Sequence, residues 1–107
     1  MILINVKFTA KPGRSEALLD AASAFTAATR AEPGNLWFEW HRPVEGGPDE
    51  LLLIEAFTDE GAEPHVSSDH FKAGLEAMRP HLAATPRIIS KQVDGDGWGP
   101  MGELQVD

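Results

Sequence analysis

From the first residues the chain alternates. Ile2, Ile4, Val6 and Phe8 are apolar at even positions, with Leu3, Asn5 and Lys7 between them, the period of a β-strand whose even side chains face a core. Lys11-Pro12-Gly13 ends that run, because proline has no N–H to give and glycine accepts the turn. The period then becomes helical. Over residues 15–31, Leu18, Ala22, Phe25 and Thr29 fall on one stripe, with Ser15 placed as N-cap and Glu16 in the first turn. Pro33-Gly34 closes the helix. From Asn35 the alternation returns, with Leu36, Phe38 and Trp40 on one side and Asn35, Trp37, Glu39 and His41 on the other. The second side is mixed in character and suited to a flat, partly polar molecule or to a partner subunit.

A glycine- and proline-rich connection from Pro43 to Asp49 leads into Leu51-Leu52-Leu53-Ile54-Glu55-Ala56-Phe57, so residues 35–57 read as a β-hairpin. Glu55 is the one charge in that apolar strand, and a carboxylate buried there needs a hydrogen-bond or cationic partner. Thr58-Asp59 reads as the cap of a short turn interrupted by Pro64. Ser67 or Ser68 then opens a longer helix with Phe71, Leu75, Met78 and Leu82 on its apolar stripe. As part of one continuous helix His65 would lie off that stripe; a break near Ser67 leaves its direction open. After Pro86 comes a last strand over residues 87–93. Residues 1–94 thus form one domain, and residues 95–107 a glycine-rich tail whose Trp98 and Met101 call for apolar cover.

The order strand, helix, strand, strand, helix, strand predicts an α+β, ferredoxin-like fold, a four-stranded antiparallel sheet with both helices on one face. Leu3, Trp37 and the apolar third strand leave the other face too rich in hydrocarbon for water, which predicts a homodimer packed sheet to sheet. Charge narrows the partners. Nine basic and seventeen acidic side chains give −8, a field that repels phosphate backbones and argues against nucleic acid. The absence of cysteine excludes disulfides, thiolate nucleophiles and cysteine zinc sites. No apolar run has the ~20 residues a membrane span needs, so the expectation is a soluble, cytoplasmic protein.

Phosphate loop, nucleophile elbow and paired-histidine zinc helix are all missing from the chain. His65 and His70 stand five apart rather than the four that sets two ligands on one helical face, and no metal site is expected from them. An acid–base pairing of Glu55 with a histidine is the chemistry this residue set offers.

Four stretches together resemble the antibiotic biosynthesis monooxygenase family, quinol monooxygenases included. They are Lys11-Pro12-Gly13, Glu32-Pro33-Gly34-Asn35-Leu36, Leu53-Ile54-Glu55-Ala56-Phe57 with Thr58-Asp59, and His65-Val66-Ser67-Ser68-Asp69-His70-Phe71. The resemblance implies a dimeric α/β barrel that oxidises a small phenolic, quinol or anthrone-type substrate with O2, without metal, flavin or haem. It also implies His65 as catalytic residue with Glu55 as its orienting or proton-relaying partner. Asn35 and His70 would then contact substrate, and Trp37 or Phe71 would wall its ring. A related haem-degrading branch has its iron-binding histidine where this chain has Leu75, which cannot ligate iron. Two other readings of the same scaffold are an isomerase of small phosphorylated signalling molecules and a non-catalytic, stress-associated binding dimer.

Overall fold

The computed structural model describes residues 1–107. Its elements follow the order β1 (Ile2–Thr9), α1 (Ser15–Ala21), α2 (Ser23–Arg30), β2 (Asn35–His41), β3 (Glu50–Phe57), α3 (Ala62–Val66), α4 (Asp69–Met78) and β4 (Arg87–Gln92). All strand pairs are antiparallel and the sheet order is β2-β3-β1-β4, the ferredoxin-like arrangement. Register explains which face is core. Ile4, Val6 and Phe8 stand opposite Glu55, Leu53 and Leu51, while Phe38 and Trp40 meet Glu55 and Leu53 from the other side. Against this face lie Leu18, Ala22, Phe25 and Thr29, the helical stripe, and all four are buried. Each fully covered Leu or Phe contributes about 1.5–3 kcal/mol.

Local details depart from the simplest reading of the sequence. The helix expected over 15–31 is two helices meeting at Ala22. Ser15 is its first helical residue rather than its cap, and its hydroxyl instead accepts from Arg42 at 3.1 Å. Ser68 does cap α4, accepting from the Phe71 amide. On α4 the buried positions are Gly74 and Met78, while Leu75 is exposed. Gly74 is small because Phe25 is there: a Cβ would lie 2.5 Å from the Phe25 ring. Strand β2 bulges at Leu36, so that Asn35 pairs with Phe57 while Trp37 pairs with the adjacent Ala56. One extra residue therefore turns Asn35 to the opposite face from Trp37.

Two glycines hold the loops together. A Cβ on Gly34 would sit 2.5 Å from Gly61 Cα, and one on Gly61 would sit 2.8 Å from the Gly34 carbonyl oxygen. Thr58 N–H donates to that same carbonyl. This contact clamps the turn after α2 onto the segment leading into α3. Backbone cannot swing aside as a side chain can, so Gly61→Ala should cost about 2–3 kcal/mol. Urea unfolding checks this, and a midpoint equal to that of the parent chain would show that the clamp is slack.

The sheet's outer face carries Leu3, Leu52, Ile54, Trp37 and Ile89. In the tail Trp98 lies over Trp37 with ring centroids 5.4 Å apart, yet Trp98 remains 80% exposed in the single chain. The radius of gyration, 15.0 Å, exceeds the ~13 Å of a compact chain of this length, as a two-layer slab with an extended tail requires. None of the helices is long and apolar enough to cross a membrane.

Candidate functional site

Three separate segments converge beside the end of β3. Glu32 comes from the turn after α2, His65 from α3, and His70 from the first turn of α4. A break at Ser67-Ser68 separates the two histidines onto different helices. Helical spacing therefore says nothing about whether they can meet. They do meet, through one oxygen: Glu32 Oε2 lies 2.8 Å from His65 Nδ1 and 2.6 Å from His70 Nε2. On its far side His65 presents Nε2 to Glu55 Oε1 at 3.8 Å. The result is a chain of four groups, His70–Glu32–His65–Glu55.

The chain runs from outside to inside. His70 is 30% exposed, Glu32 is mostly covered, and His65 and Glu55 retain 3% and 6%. His70 and Glu32 line an open cleft of about 390 Å³ together with Pro33, Gly34, Thr58, Glu60, Gly61 and Pro64. His65 is set among aromatic rings, with Phe57 at 4.5 Å, Phe71 edge-on at 5.1 Å and Phe25 at 5.7 Å between centroids. Burial, and then the negative charge of Glu32, push the Glu55 carboxyl from 4.5 up to about 7. An ionised Glu32 oxygen can accept from two imidazoles only if both point an N–H at it. That puts a hydrogen on His65 Nδ1, so in the neutral ring Nε2 is the bare nitrogen and faces Glu55. A Glu55 carboxyl that holds its proton near neutrality is the natural donor to that bare nitrogen. Glu32 Oε1 and Glu55 Oε1 are buried and accept no hydrogen bond within the chain.

The other expected site residues divide. Phe71 packs against the His65 imidazole, and His70 is at the cleft. Asn35 is close by, but its amide hydrogens go to the carbonyls of Trp37, 2.9 Å, and Ala56, 3.2 Å, where they stitch the β2 bulge. Trp37 lies on the outer face of the sheet, across from His65 and Glu55, and lines a separate apolar groove with Leu3, Ile54, Ile89 and Trp98. Glu32, central to the cluster, has no signal in the sequence beyond its place before Pro33-Gly34. His65 is buried among three phenylalanine rings, so its imidazole is part of the packing of the fold.

The protein is thus an α+β, ferredoxin-like domain with a histidine–carboxylate cluster on the helical side of its sheet. Residues 1–77 match the family model described as antibiotic biosynthesis monooxygenase, and the chain belongs to that family. Solved structures agree on the fold. A Deinococcus radiodurans protein described as a candidate antibiotic biosynthesis monooxygenase superposes with TM-score 0.80 at 17% identity, covering 95% of this chain and 100% of that one. A Nitrosomonas europaea protein of the same description gives 0.77 at 21%, covering 87% and 98%. A Pseudomonas aeruginosa protein is 28% identical with TM-score 0.68, covering 88% and 94%. Among curated proteins no match was found.

Proposed function

We propose that this protein is a cofactor-independent monooxygenase, active as a homodimer, that oxidises a small electron-rich aromatic of the quinol, phenol or anthrone type with O2. The observation that carries the reading is the single Glu32 oxygen shared by an imidazole at the cleft and an imidazole buried against Glu55. Such a substrate becomes reactive toward O2 once it loses a proton. His70 and Glu32 are where the proton arrives, and His65 passes it inward from its other tautomer, with Nδ1 bare toward the protonated Glu32 and Nε2–H toward an ionised Glu55. Glu55 exchanges a proton with His65 Nε2 once that contact shortens from 3.8 Å to hydrogen-bond length. An anthrone ring CH2 going to C=O, or a phenol or quinol ring C–H gaining oxygen as the ring reaches the quinone level, gives up four electrons. That is what O2 needs to leave one oxygen in the product and one as water, with no outside reductant. The dimer is supported by the apolar outer face and by Trp98, which one chain alone leaves mostly in water.

The lining of the cleft, with Glu32 and Glu60 and no lysine or arginine, argues against a phosphorylated substrate and hence against the isomerase reading. Oxygen uptake by chelator-treated protein over a panel of hydroquinones, catechols and anthrones tests the proposal. With 18O2, one labelled atom should appear in the oxidised ring and one in water. Failure of every member to consume O2 above the no-protein rate would leave a binding dimer as the better account.

A further inference from the structure

We propose that Glu32, His65 and His70 form a site for one divalent transition-metal ion of the zinc type, held from behind by Glu55. Two imidazoles and a carboxylate are the donor set that zinc takes in sites with an open fourth position. Here the three donor atoms, His65 Nδ1, His70 Nε2 and a Glu32 oxygen, all lie within 4.8 Å of one another. Ligands about 2.0–2.1 Å from a tetrahedral ion stand roughly 3.3 Å apart. The two short contacts to Glu32 would open toward that distance and the two imidazole nitrogens, within 4.8 Å of each other, would close toward it, by side-chain rotation.

Three further features point to a cation. Metal-bound histidine is characteristically oriented by a carboxylate on its other nitrogen, and Glu55 stands there, 3.8 Å from His65 Nε2. That carboxylate is more than nine-tenths buried, and its Oε1 has no hydrogen-bond partner. Neither Glu32 nor Glu55 has a lysine or arginine within ion-pair distance; their charged partners are the two histidines alone. Once Glu55 gives up its proton, two carboxylates with two neutral imidazoles carry −2, the charge that one divalent ion balances. Finally, the cleft offers the approach. His70 and Glu32 both open to it, Glu60 stands on its wall, and the −8 net charge draws cations toward the molecule.

Metal at this site moves the His65 hydrogen from Nδ1 to Nε2, where Glu55 accepts it. The metal-bound form therefore cannot relay protons through His65, and its occupancy switches off the oxidation proposed above. That consequence alone rests on the monooxygenase reading; the site does not.

Co2+ titrated into chelator-treated, dialysed full-length protein is the probe. One Co2+ per chain should bind at micromolar protein, with the intense ligand-field bands of a low-coordinate ion. Zn2+ should displace it one for one. Glu55→Gln should weaken binding about 10- to 100-fold, and His70→Ala and Glu32→Gln by at least as much. His81→Ala, remote from the cluster, should bind as the parent does. Absence of stoichiometric uptake, or uptake indifferent to both His70→Ala and Glu32→Gln, overturns the site. Uptake with this mutational pattern supports it even if no aromatic is ever oxidised. O2 consumption without Co2+ uptake would leave the monooxygenase reading intact and remove the metal.

Discussion

Replacing His65 by alanine should lower turnover of a competent phenolic substrate by about 10²-fold or more, the usual worth of a positioned proton-transfer group. It should also destabilise the fold. The ring is 3% exposed and touches Phe57, Phe71 and Phe25, so truncation leaves a cavity and strands the Glu32 oxygen. A loss of about 2–4 kcal/mol is expected from those two effects together. Loss of activity in that variant alone would therefore be ambiguous. Glu32→Gln resolves it, because the amide keeps the shape and can bond both imidazoles but cannot carry the proton onward. Its turnover should fall by a similar factor in chelator-treated protein, with urea stability within about 1 kcal/mol of the parent chain. His70→Ala, at the exposed end, should cost less in both measurements. Equal turnover in Glu32→Gln and parent would end the relay model, leaving His65 as a packed core imidazole.

Glu55→Gln should raise stability at pH 8 and leave it nearly unchanged at pH 4.5. In the folded chain Glu55 holds its proton up to about 7, whereas the unfolded chain releases it near 4.5. Between those values the folded state binds more protons, so rising pH erodes stability through that window and the full penalty remains above it. The gap corresponds to about 3 kcal/mol. His65 and, beyond it, Glu32 are the titratable groups that face this carboxyl; Ile4 and Phe38, its register neighbours, are apolar. Glutamine fills the same space and does not ionise. Urea denaturation of metal-free parent and variant at the two pH values is the measurement. Parallel stability profiles would mean that the folded protein leaves Glu55 with an ordinary carboxyl.

What residue order determined by itself was everything carried by short-range pattern. Alternation at Ile2–Phe8 and around Phe38 and Trp40 set strand faces, since successive side chains on a strand must point opposite ways. The spacing of Leu18, Ala22, Phe25 and Thr29 set the buried helical stripe, and the pair Ser67-Ser68 announced the start of α4, the structure choosing Ser68 as its cap. From those elements and their sequence order the ferredoxin-like sheet follows. Glu55 was already conspicuous as the one charge in an apolar strand.

The site itself was decided by tertiary structure. Glu32 meets His65 across 33 residues and His70 across 38. No local period reports such contacts; they exist because the Gly34–Gly61 clamp brings the turn after α2 against α3. A helix break of two residues redirected both histidines, voiding the spacing argument made for a continuous helix. One bulged residue at Leu36 committed Asn35 to backbone carbonyls and left Trp37 on the far side of the sheet. Side-chain direction depends on cumulative rotation along the backbone, so a single inserted residue or a broken turn reverses what periodicity predicts. Sequence pattern therefore named the faces of this protein, and packing chose which polar groups share an oxygen.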